Sequence, residues 1–327
     1  MKNSEKWMRG LPYVGNKGQK AQKIIDALPA GNRFIDVFGG GGSISLTAAN
    51  SGKWDEVIYN DRRKTVVELL QTLLNNEPRL DLTKYVYMTR DEFFDWRDNQ
   101  PDSVERTLVL TVWSFSNNWH DYLWGKKIEK EKLQVTRALF FGDSDTELDD
   151  LYSYTKNEPT IAGKYTAYHR RRLEIMSTQP QRLEQLQQLQ QLQQLQRLEQ
   201  LERLEYSMLD LQQLQQLERL QQLERLEQTG ELEQLERLEY SMLDYRDLVI
   251  RPDDIVYCDP PYVNTGHDYG GWDPDAFYAW LAKCPAKQIY ISEYTKLPHT
   301  DLAINLGNKL SLTAAGTRRN ELLLKYV

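Results

Sequence analysis

The strongest constraint on the fold is a run of four glycines that follows a short apolar segment. Arg33 to Phe38 reads as a buried β-strand, Gly39 to Ser43 as a turn and Ile44 to Ala49 as a helix. A second strand pattern, Glu56 to Asn60, ends at the acidic residue Asp61. This order is typical of the first half of a doubly wound α/β domain, in which the glycines admit a ligand and the acid binds ribose hydroxyls.

The α/β pattern returns near the C-terminus. Asp254 to Cys258 reads as a buried strand, Asp275 to Lys283 as a helix, Gln288 to Ser292 as a strand and Glu321 to Val327 as a closing strand. The first of these strands runs directly into Asp259-Pro260-Pro261-Tyr262. The two parts together predict one α/β sheet domain that a long insertion interrupts.

The Asp-Pro-Pro-Tyr segment suits methylation of an amine. The amino group of a nucleobase is a poor nucleophile because its lone pair is delocalised into the ring, so it needs hydrogen-bond acceptors that favour a tetrahedral nitrogen. The Asp259 carboxylate and the Pro260 carbonyl can provide two, and the prolines stiffen the backbone. Tyr262 offers a ring on which a base flipped out of a duplex can stack. Alone, the same residues also fit an ordinary strand-ending turn.

Residues 181–239 form a low-complexity repeat with leucine at every third position and mostly Gln, Glu and Arg between. An eight-residue phrase occurs twice, at 203–210 and 237–244. The composition favours a helix, whereas a three-residue period makes the leucine stripe drift around an α-helix and leaves no single face to bury. A narrow β-solenoid and a helical hairpin both fit, and we expect a stalk or spacer rather than a catalytic element.

Together the motifs resemble the Dam-type family of DNA adenine-N6 methyltransferases, in its phage and bacterial forms, over residues 10–180 and 240–327. The resemblance implies a Rossmann-like methyltransferase domain at 1–75 and 240–327, with a mainly helical target-recognition domain inserted at 76–180 and the leucine repeat at 181–239. It implies S-adenosylmethionine as cofactor and duplex DNA as substrate. The implied reaction is base flipping followed by direct in-line attack of adenine N6, without a covalent enzyme intermediate.

The resemblance also assigns site residues position by position. Tyr13 to Gly18 looks like the family's cofactor segment, and Phe34 to Gly41 looks like its cofactor loop. An acid that follows a strand just before the catalytic motif is implied beside the cofactor's adenine, and both Asp244 and Asp210 fit. We favour Asp244 because the segment after it leads straight into the catalytic strand. The implied catalytic residues are Asp259, Pro260, Pro261 and Tyr262, and the implied cofactor residues are Tyr13, Lys17, Asp36, Phe38, Gly39, Gly41, Asp61, Asp244 and Asp259.

Candidates for DNA contact lie in the insertion, where 114–118 and 122–126 are similar to a family segment of the target-recognition domain. Lysine and arginine would contact phosphates, and asparagine would read base edges. Each residue alone also fits an ordinary surface position. The candidates are Asn117, Asn118, His120, Tyr122, Lys126, Lys127, Arg170, Arg171 and Arg172.

Charge neither supports nor excludes DNA as a partner. The formal net charge is −7, of which the repeat, with 6 Arg and 12 acidic residues, carries −6. A near-neutral remainder binds DNA if its basic groups share one face. Two cysteines, Cys258 and Cys284, fit a reducing compartment and neither a disulfide scaffold nor a zinc site. With no signal-peptide pattern and no membrane-length apolar run, we expect a cytoplasmic enzyme without a metal.

Three hypotheses follow from the sequence. The favoured one is an adenine-specific DNA methyltransferase, either an orphan or phage enzyme or one paired with a cognate restriction endonuclease, with self-association through the leucine repeat. The second is a catalytically inactive relative that binds DNA. The third is an amine methyltransferase that acts on cytosine N4, RNA or a protein amide, and an aspartate at position 259 favours adenine over it.

Overall fold

The computed structural model describes residues 10–75, 80–127, 129–141, 157–158, 163–164, 167–168, 170–171, 236–261, 272–309 and 319–327. These residues fall into two compact units. The first unit draws on the described residues of 1–80, 102–108 and 222–327, and the second on those of 81–101 and 109–221. Because the chain enters and leaves the second unit, the first is assembled from segments far apart in sequence.

The strands of the first unit are β1 (Arg33–Asp36), β2 (Glu56–Asn60), β3 (Leu238–Ser241), β4 (Ile255–Cys258), β5 (Gln288–Glu293), β6 (Thr300–Lys309) and β7 (Arg319–Tyr326). The helices of the described chain are α1 (Ala21–Ala27), α2 (Ser43–Ser51), α3 (Lys64–Asn75), α4 (Arg90–Asp98), α5 (Val104–Trp113), α6 (Glu129–Phe141) and α7 (Pro274–Leu281). α5 runs from the first unit into the second.

The seven strands form one sheet in the order β3-β2-β1-β4-β5-β7-β6. β3, β2, β1, β4 and β5 are parallel, and β7 pairs antiparallel with both β5 and β6. Every residue of β1 and β4 is buried, as expected for central parallel strands covered on both faces. The strand order reverses between β1 and β4, and ligands of doubly wound sheets bind outside the carboxyl ends of the strands at that point.

The core beside this reversal is built from apolar residues of several segments. Ile35, Val256 and Ile291 from three neighbouring strands are buried in one cluster with Phe277 and Leu281 of α7. At the opposite ends of β1 and β4, the buried Arg33 guanidinium donates to both carboxylate oxygens of Asp254 at 2.9 and 2.7 Å. Packing and this ion pair therefore fix the relative position of the two central strands.

The second unit is helical in its described part. Thr89 caps α4 through a reciprocal pair of hydrogen bonds with Glu92, a capping box that satisfies the first N–H groups of the helix. Three aromatic side chains, Trp113, Tyr122 and Trp124, are buried together, with the rings of Trp113 and Trp124 5.2 Å apart. The mainly helical character of the whole insertion stays a prediction, since many of its residues lie outside those described.

The mixed α/β fold predicted from the sequence is confirmed. Its sheet includes β3, where the family resemblance implies a strand before Asp244, and β6, which the sequence analysis did not predict. β3 begins at Leu238, inside the segment assigned to the leucine repeat, and β6 lies between predicted elements. The rest of the repeat, with its solenoid or hairpin alternatives, lies outside the described residues. None of the described helices has the length and apolar character needed to cross a membrane.

Candidate active site

Four aspartates line one cavity at the carboxyl ends of four adjacent parallel strands. Asp36 ends β1, Asp61 and Asp259 directly follow β2 and β4, and Asp244 follows β3 by three residues. All four line a cavity of about 280 Å³, close to the lower end of the usual range of roughly 300–1,000 Å³ for small-molecule sites. Since neighbouring strands lie about 4.8 Å apart, the row of acids is roughly 14 Å long.

The glycine turn after β1 forms part of the cavity wall and touches the next strand. The Gly39 N–H donates to the Asn60 carbonyl at 2.7 Å, and the Gly40 carbonyl accepts from the Tyr59 hydroxyl at 2.7 Å. A Cβ atom at Gly39 would lie 2.1 Å from the Tyr59 ring, so a larger residue does not fit. Gly40 has a left-handed φ of +48°. The four glycines are therefore needed for close approach and for the turn itself.

Asp61 and Asp244 form the outer end of the row, and each accepts hydrogen bonds from a residue two positions further along the chain. The Asp61 carboxylate accepts from the N–H groups of Gly40 and Arg63 at 2.9 and 2.8 Å. Burial raises the pKa of Asp61, and these two hydrogen bonds oppose the rise. Asp244 accepts from the Arg246 guanidinium at 2.7 and 2.9 Å, and this contact lowers the pKa of Asp244.

The segment that carries Asp244 is fastened to β2 by one side chain. The Asn60 amide donates to the Leu243 carbonyl at 3.1 Å and accepts from the Leu243 N–H at 3.0 Å. This reciprocal pair brings Asp244 to the cavity although β3 ends at Ser241. Asp210, the alternative position in the duplicated phrase, lies outside the described residues.

Asp36 is the most buried acid of the row, with an exposed fraction of 1%. Ser45 donates a hydrogen bond to its Oδ2 atom at 2.7 Å, whereas Oδ1 is buried and has no hydrogen-bond partner among the described residues. Burial, with smaller contributions from the nearby charges of Asp259 and Asp61, raises the pKa of Asp36 from 3.8 to about 7, although hydrogen bonding to Ser45 opposes the rise. A buried carboxylate with an unfilled oxygen on a cavity wall is a ready acceptor for a cationic group.

Asp259 at the inner end of the row is paired with a lysine that is 242 residues away in sequence. Lys17 Nζ lies 2.5 Å from Asp259 Oδ2 and 3.2 Å from Glu321 Oε1. Burial alone would lower the pKa of Lys17, but the two carboxylates outweigh it and raise the pKa. Pro260 and Pro261 follow Asp259 on the cavity wall. Tyr262, the last predicted catalytic residue, lies outside the described residues.

One wall of the cavity is aromatic. Phe38 packs against Tyr245 and Trp272 with ring centroids 5.5 and 5.6 Å apart, and all three residues line the cavity. Tyr13 lies on the cavity wall too, within 3.2 Å of where a Cβ of Gly40 would stand. Every predicted cofactor residue therefore lines this one cavity.

Several cavity residues had no role in the sequence analysis. Asn60, Leu243, Tyr257, Trp272 and Tyr294 also line it. Tyr294 directly follows β5, at the sheet edge where the acids lie, whereas a tryptophan in a loop such as Trp272 gives no positional signal. Tyr257 is buried, donates to or accepts from Ser292 Oγ at 2.7 Å, and would look like an ordinary strand residue.

The predicted DNA contacts lie in the second unit and differ in exposure. The His120, Lys126, Lys127 and Arg170 side chains are exposed, and Asn117, Asn118 and Arg171 are half-buried. Tyr122 is buried and donates its hydroxyl to the Met88 carbonyl at 2.6 Å, a position that favours packing over contact with DNA. The Asn118 amide is occupied within its own loop by Asp121 and His120. Arg172 lies outside the described residues.

Comparison with protein families gives one match. The family model described as D12 class N6 adenine-specific DNA methyltransferase matches residues 13–195, more than half of the chain. The matched range contains Tyr13, Lys17, Asp36 and Asp61, whereas Asp244 and the catalytic segment from Asp259 lie beyond it. A comparison with curated proteins gave no match.

Proposed function

The chain belongs to the D12 class of N6 adenine-specific DNA methyltransferases, and from this premise we propose that the row of four aspartates binds S-adenosylmethionine for methylation of adenine in a specific DNA sequence. The family membership confirms the resemblance noted in the sequence and makes the protein a DNA adenine methyltransferase. Methyltransferases of this family generally use S-adenosylmethionine. The proposal adds where this cofactor binds, which residues hold the target base, and that the base leaves the duplex.

The observation that carries the proposal is the accumulation of acidic groups around the unfilled Asp36 oxygen. S-adenosylmethionine supplies a methyl group bound to a cationic sulfonium, and its methionine part carries an ammonium. Four aspartates in one cavity favour such a ligand, and the buried Asp36 Oδ1 offers an acceptor that has no hydrogen-bond partner within the described part of the chain. A cation beside Asp36 would also lower its raised pKa, so ligand charge and site charge are complementary.

The outer end of the row suits the adenosine part of the cofactor. Asp61 keeps acceptor capacity on both carboxylate oxygens for ribose hydroxyls, since each oxygen accepts one backbone hydrogen bond and has a second lone pair. Phe38, Tyr245 and Trp272 provide ring faces and edges for a purine. Asp244 lies next to Tyr245 and supplies an acceptor for an exocyclic amine.

The inner end suits the target adenine. The Asp259 carboxylate and the Pro260 carbonyl would accept hydrogen bonds from the two N6 hydrogens. These hydrogen bonds favour a tetrahedral nitrogen, whose lone pair would attack the methyl group of the cofactor directly. The base must leave the duplex to bring its amine to a carboxylate on a cavity wall. Asp259 is then placed to take up the proton that N6 loses after attack.

The test is transfer of tritiated methyl groups from S-adenosylmethionine to unmethylated duplex DNA, followed by nucleoside analysis. We expect the label in N6-methyladenosine, with sequencing of the methylated positions giving a single recognition sequence. A duplex with 2-aminopurine at the target position should then brighten when the protein binds, as the base unstacks. As a control, the Asp247→Asn variant, which changes an exposed aspartate close to the cavity segment, should give the same results as the wild type.

Each alternative gives a different result in the same assay. Label in N4-methylcytosine would overturn the choice of base, and label in RNA or protein but not in DNA would overturn the substrate. Binding of S-adenosylmethionine without transfer to any of these would favour the inactive DNA-binding relative. Methylated adenines scattered without a common sequence would remove site specificity from the proposal.

A further inference from the structure

Four charged side chains beside the catalytic segment alternate in sign. Lys17 Nζ lies 2.5 Å from Asp259 and 3.2 Å from Glu321, and Lys20 Nζ lies 2.7 Å from the other oxygen of Glu321. Glu321 is 1% exposed and Lys17 is 4% exposed at their side chains. The order Asp259–Lys17–Glu321–Lys20 leaves neither buried charge uncompensated, which a buried ion pair requires.

The Lys17 ammonium contacts three oxygen-bearing groups in this arrangement. Its partners are the Asp259 carboxylate, the Glu321 carboxylate and the Gly15 carbonyl at 3.2 Å. The contact with Asp259 is the shortest, so Lys17 occupies an oxygen of the carboxylate that would accept the target amine. An incoming amine and Lys17 therefore compete for the same acceptor.

We propose that Glu321 is a positioning residue that holds Lys17 when the target amine takes over Asp259. Glu321 offers Lys17 a second carboxylate at a slightly longer distance, so a small shift of the ammonium transfers its charge from Asp259 to Glu321. The inference rests on the proposed function, because it assumes that Asp259 accepts a hydrogen bond from N6. Among the described residues, Lys17 and Asp259 line the cavity whereas Glu321 does not, so Glu321 acts through Lys17.

Glu321 is held on a rigid element. It lies on β7 opposite Gly307 of β6, at a register shift in the hairpin. Lys20 reaches the Gly307 carbonyl at 3.4 Å as well as Glu321, and Lys23 of α1 donates to the Asn305 carbonyl at 2.6 Å. These contacts tie the segment that carries Lys17 to the C-terminal hairpin. A carboxylate fixed from the outside of the cavity is suited to orienting the lysine without touching the substrate.

The experiment compares Glu321→Gln with Glu321→Asp in steady-state methylation by the full chain. Glutamine keeps the size of glutamate but removes its charge, whereas aspartate is shorter and keeps the charge. We expect Glu321→Gln to lower kcat by about 10²-fold, the scale of a small misplacement at a reacting centre, with KM for DNA changed by less than about threefold since phosphate contacts are untouched. Glu321→Asp should retain more activity than Glu321→Gln. Asp301→Asn, an exposed acid on β6, is the matched control.

Calorimetric binding of S-adenosylmethionine to each variant separates positioning from folding. Affinity near that of the wild type, together with the lower kcat of Glu321→Gln, supports the inference. Three results overturn it: wild-type kcat in Glu321→Gln, higher activity of the glutamine than of the aspartate variant, or loss of cofactor binding in step with activity. If the wild type transfers no methyl group, or Asp259→Ala remains active, the proposed function fails first and the inference fails with it.

Discussion

The two ends of the aspartate row are held in different ways. Asp61 and Asp244 at the outer end bind partners within about two residues in sequence, apart from the Gly40 N–H. Asp259 at the inner end is paired with Lys17 across 242 residues, and Lys17 depends in turn on Glu321. Both ends need the assembled sheet, since Asn60 fastens the Asp244 segment to β2 across 183 residues. The difference lies in the carboxylates themselves, which local contacts mainly orient at the outer end and a distant lysine orients at Asp259.

This difference matches the proposed roles of the two ends, which are cofactor binding at the outer end and holding of the target amine at the inner end. An acid that binds ribose hydroxyls needs a fixed position and open lone pairs, which backbone N–H groups provide. An acid that holds a reacting amine needs control of its charge, which a buried lysine provides. We therefore expect substitutions at the outer end to change cofactor affinity and substitutions at the inner end to change turnover.

The largest effect is expected for Asp259→Ala. Removing this acceptor should lower kcat by about 10³-fold or more, on the scale of lost acid–base and electrostatic contributions. Lys17 keeps Glu321 as a partner in the variant, so the fold and the cofactor site should survive. Affinity for S-adenosylmethionine, measured by calorimetry, should stay within about tenfold of the wild type. Turnover like that of the wild type would remove Asp259 from the reaction.

A steric clash at Gly39, where the glycine turn meets β2, should destabilise the fold and thereby affect both ends of the aspartate row. Gly39→Ala places a Cβ 2.1 Å from a Tyr59 ring whose hydroxyl is fixed by Gly40, so we expect a loss of about 3 kcal/mol in unfolding free energy. A Cβ at Gly15 would have no atom within 4 Å, but alanine would have to adopt a φ of +76° there. Backbone strain alone should therefore lower the unfolding free energy of Gly15→Ala by about 1 kcal/mol. Urea denaturation of the two variants measures the difference, and equal losses would contradict it.

The sequence allowed the central strands and the acids Asp36, Asp61 and Asp259 to be predicted because each signal there is local, whereas only the family resemblance favoured Asp244 over Asp210. The apolar run before Asp36 and the run before Asp259 each mark a buried strand that ends in an acid, and that pattern needs no knowledge of the rest of the chain. The strand order then brings the acids together by the general geometry of parallel sheets.

The rest could not be predicted because its cause lies far away in sequence. β3 has the composition of the leucine repeat, so only the family resemblance implied a strand before Asp244, and its pairing with β2 had no signal in the sequence. Glu321 looks like any charged residue on a closing strand, and its burial depends on Lys17 and Lys20, roughly 300 residues earlier. Trp272 reaches the cavity from a loop, where no periodic pattern exists.

Replacing Asp36 with asparagine should raise the stability of the cofactor-free protein at high pH but weaken its binding of S-adenosylmethionine. Because the folded protein keeps a proton on Asp36 up to about pH 7 whereas the unfolded chain loses it near 3.8, stability falls as pH rises through this window. Asp36→Asn removes that dependence and retains an acceptor for Ser45. Urea denaturation of the cofactor-free proteins measures this effect. The free energy of unfolding of Asp36→Asn, relative to that of the wild type, should increase by about 2 kcal/mol between about pH 5.5 and about pH 8.5.

The same Asp36→Asn variant should bind S-adenosylmethionine more weakly, by about tenfold or more, because a neutral amide replaces the charged acceptor. Calorimetry above about pH 8, where Asp36 is ionised in the cofactor-free wild type, gives the cleanest comparison. A stability advantage that does not change with pH would mean that Asp36 is not the group that titrates. Unchanged affinity would place the cofactor's cationic groups elsewhere.

The smallest effect is expected for Asp244→Asn, at the outer end of the row. The amide oxygen can still accept from the Arg246 N–H, and Asn60 continues to hold Leu243, so the segment should keep its place. We expect the Kd for S-adenosylmethionine to rise by about three- to tenfold, the value of one hydrogen bond to a charged group weakened rather than lost. At saturating cofactor, kcat should match that of the exposed control Asp247→Asn. A fall in kcat with unchanged Kd would instead extend the reacting end to Asp244, since local contacts would then be controlling turnover as well as affinity.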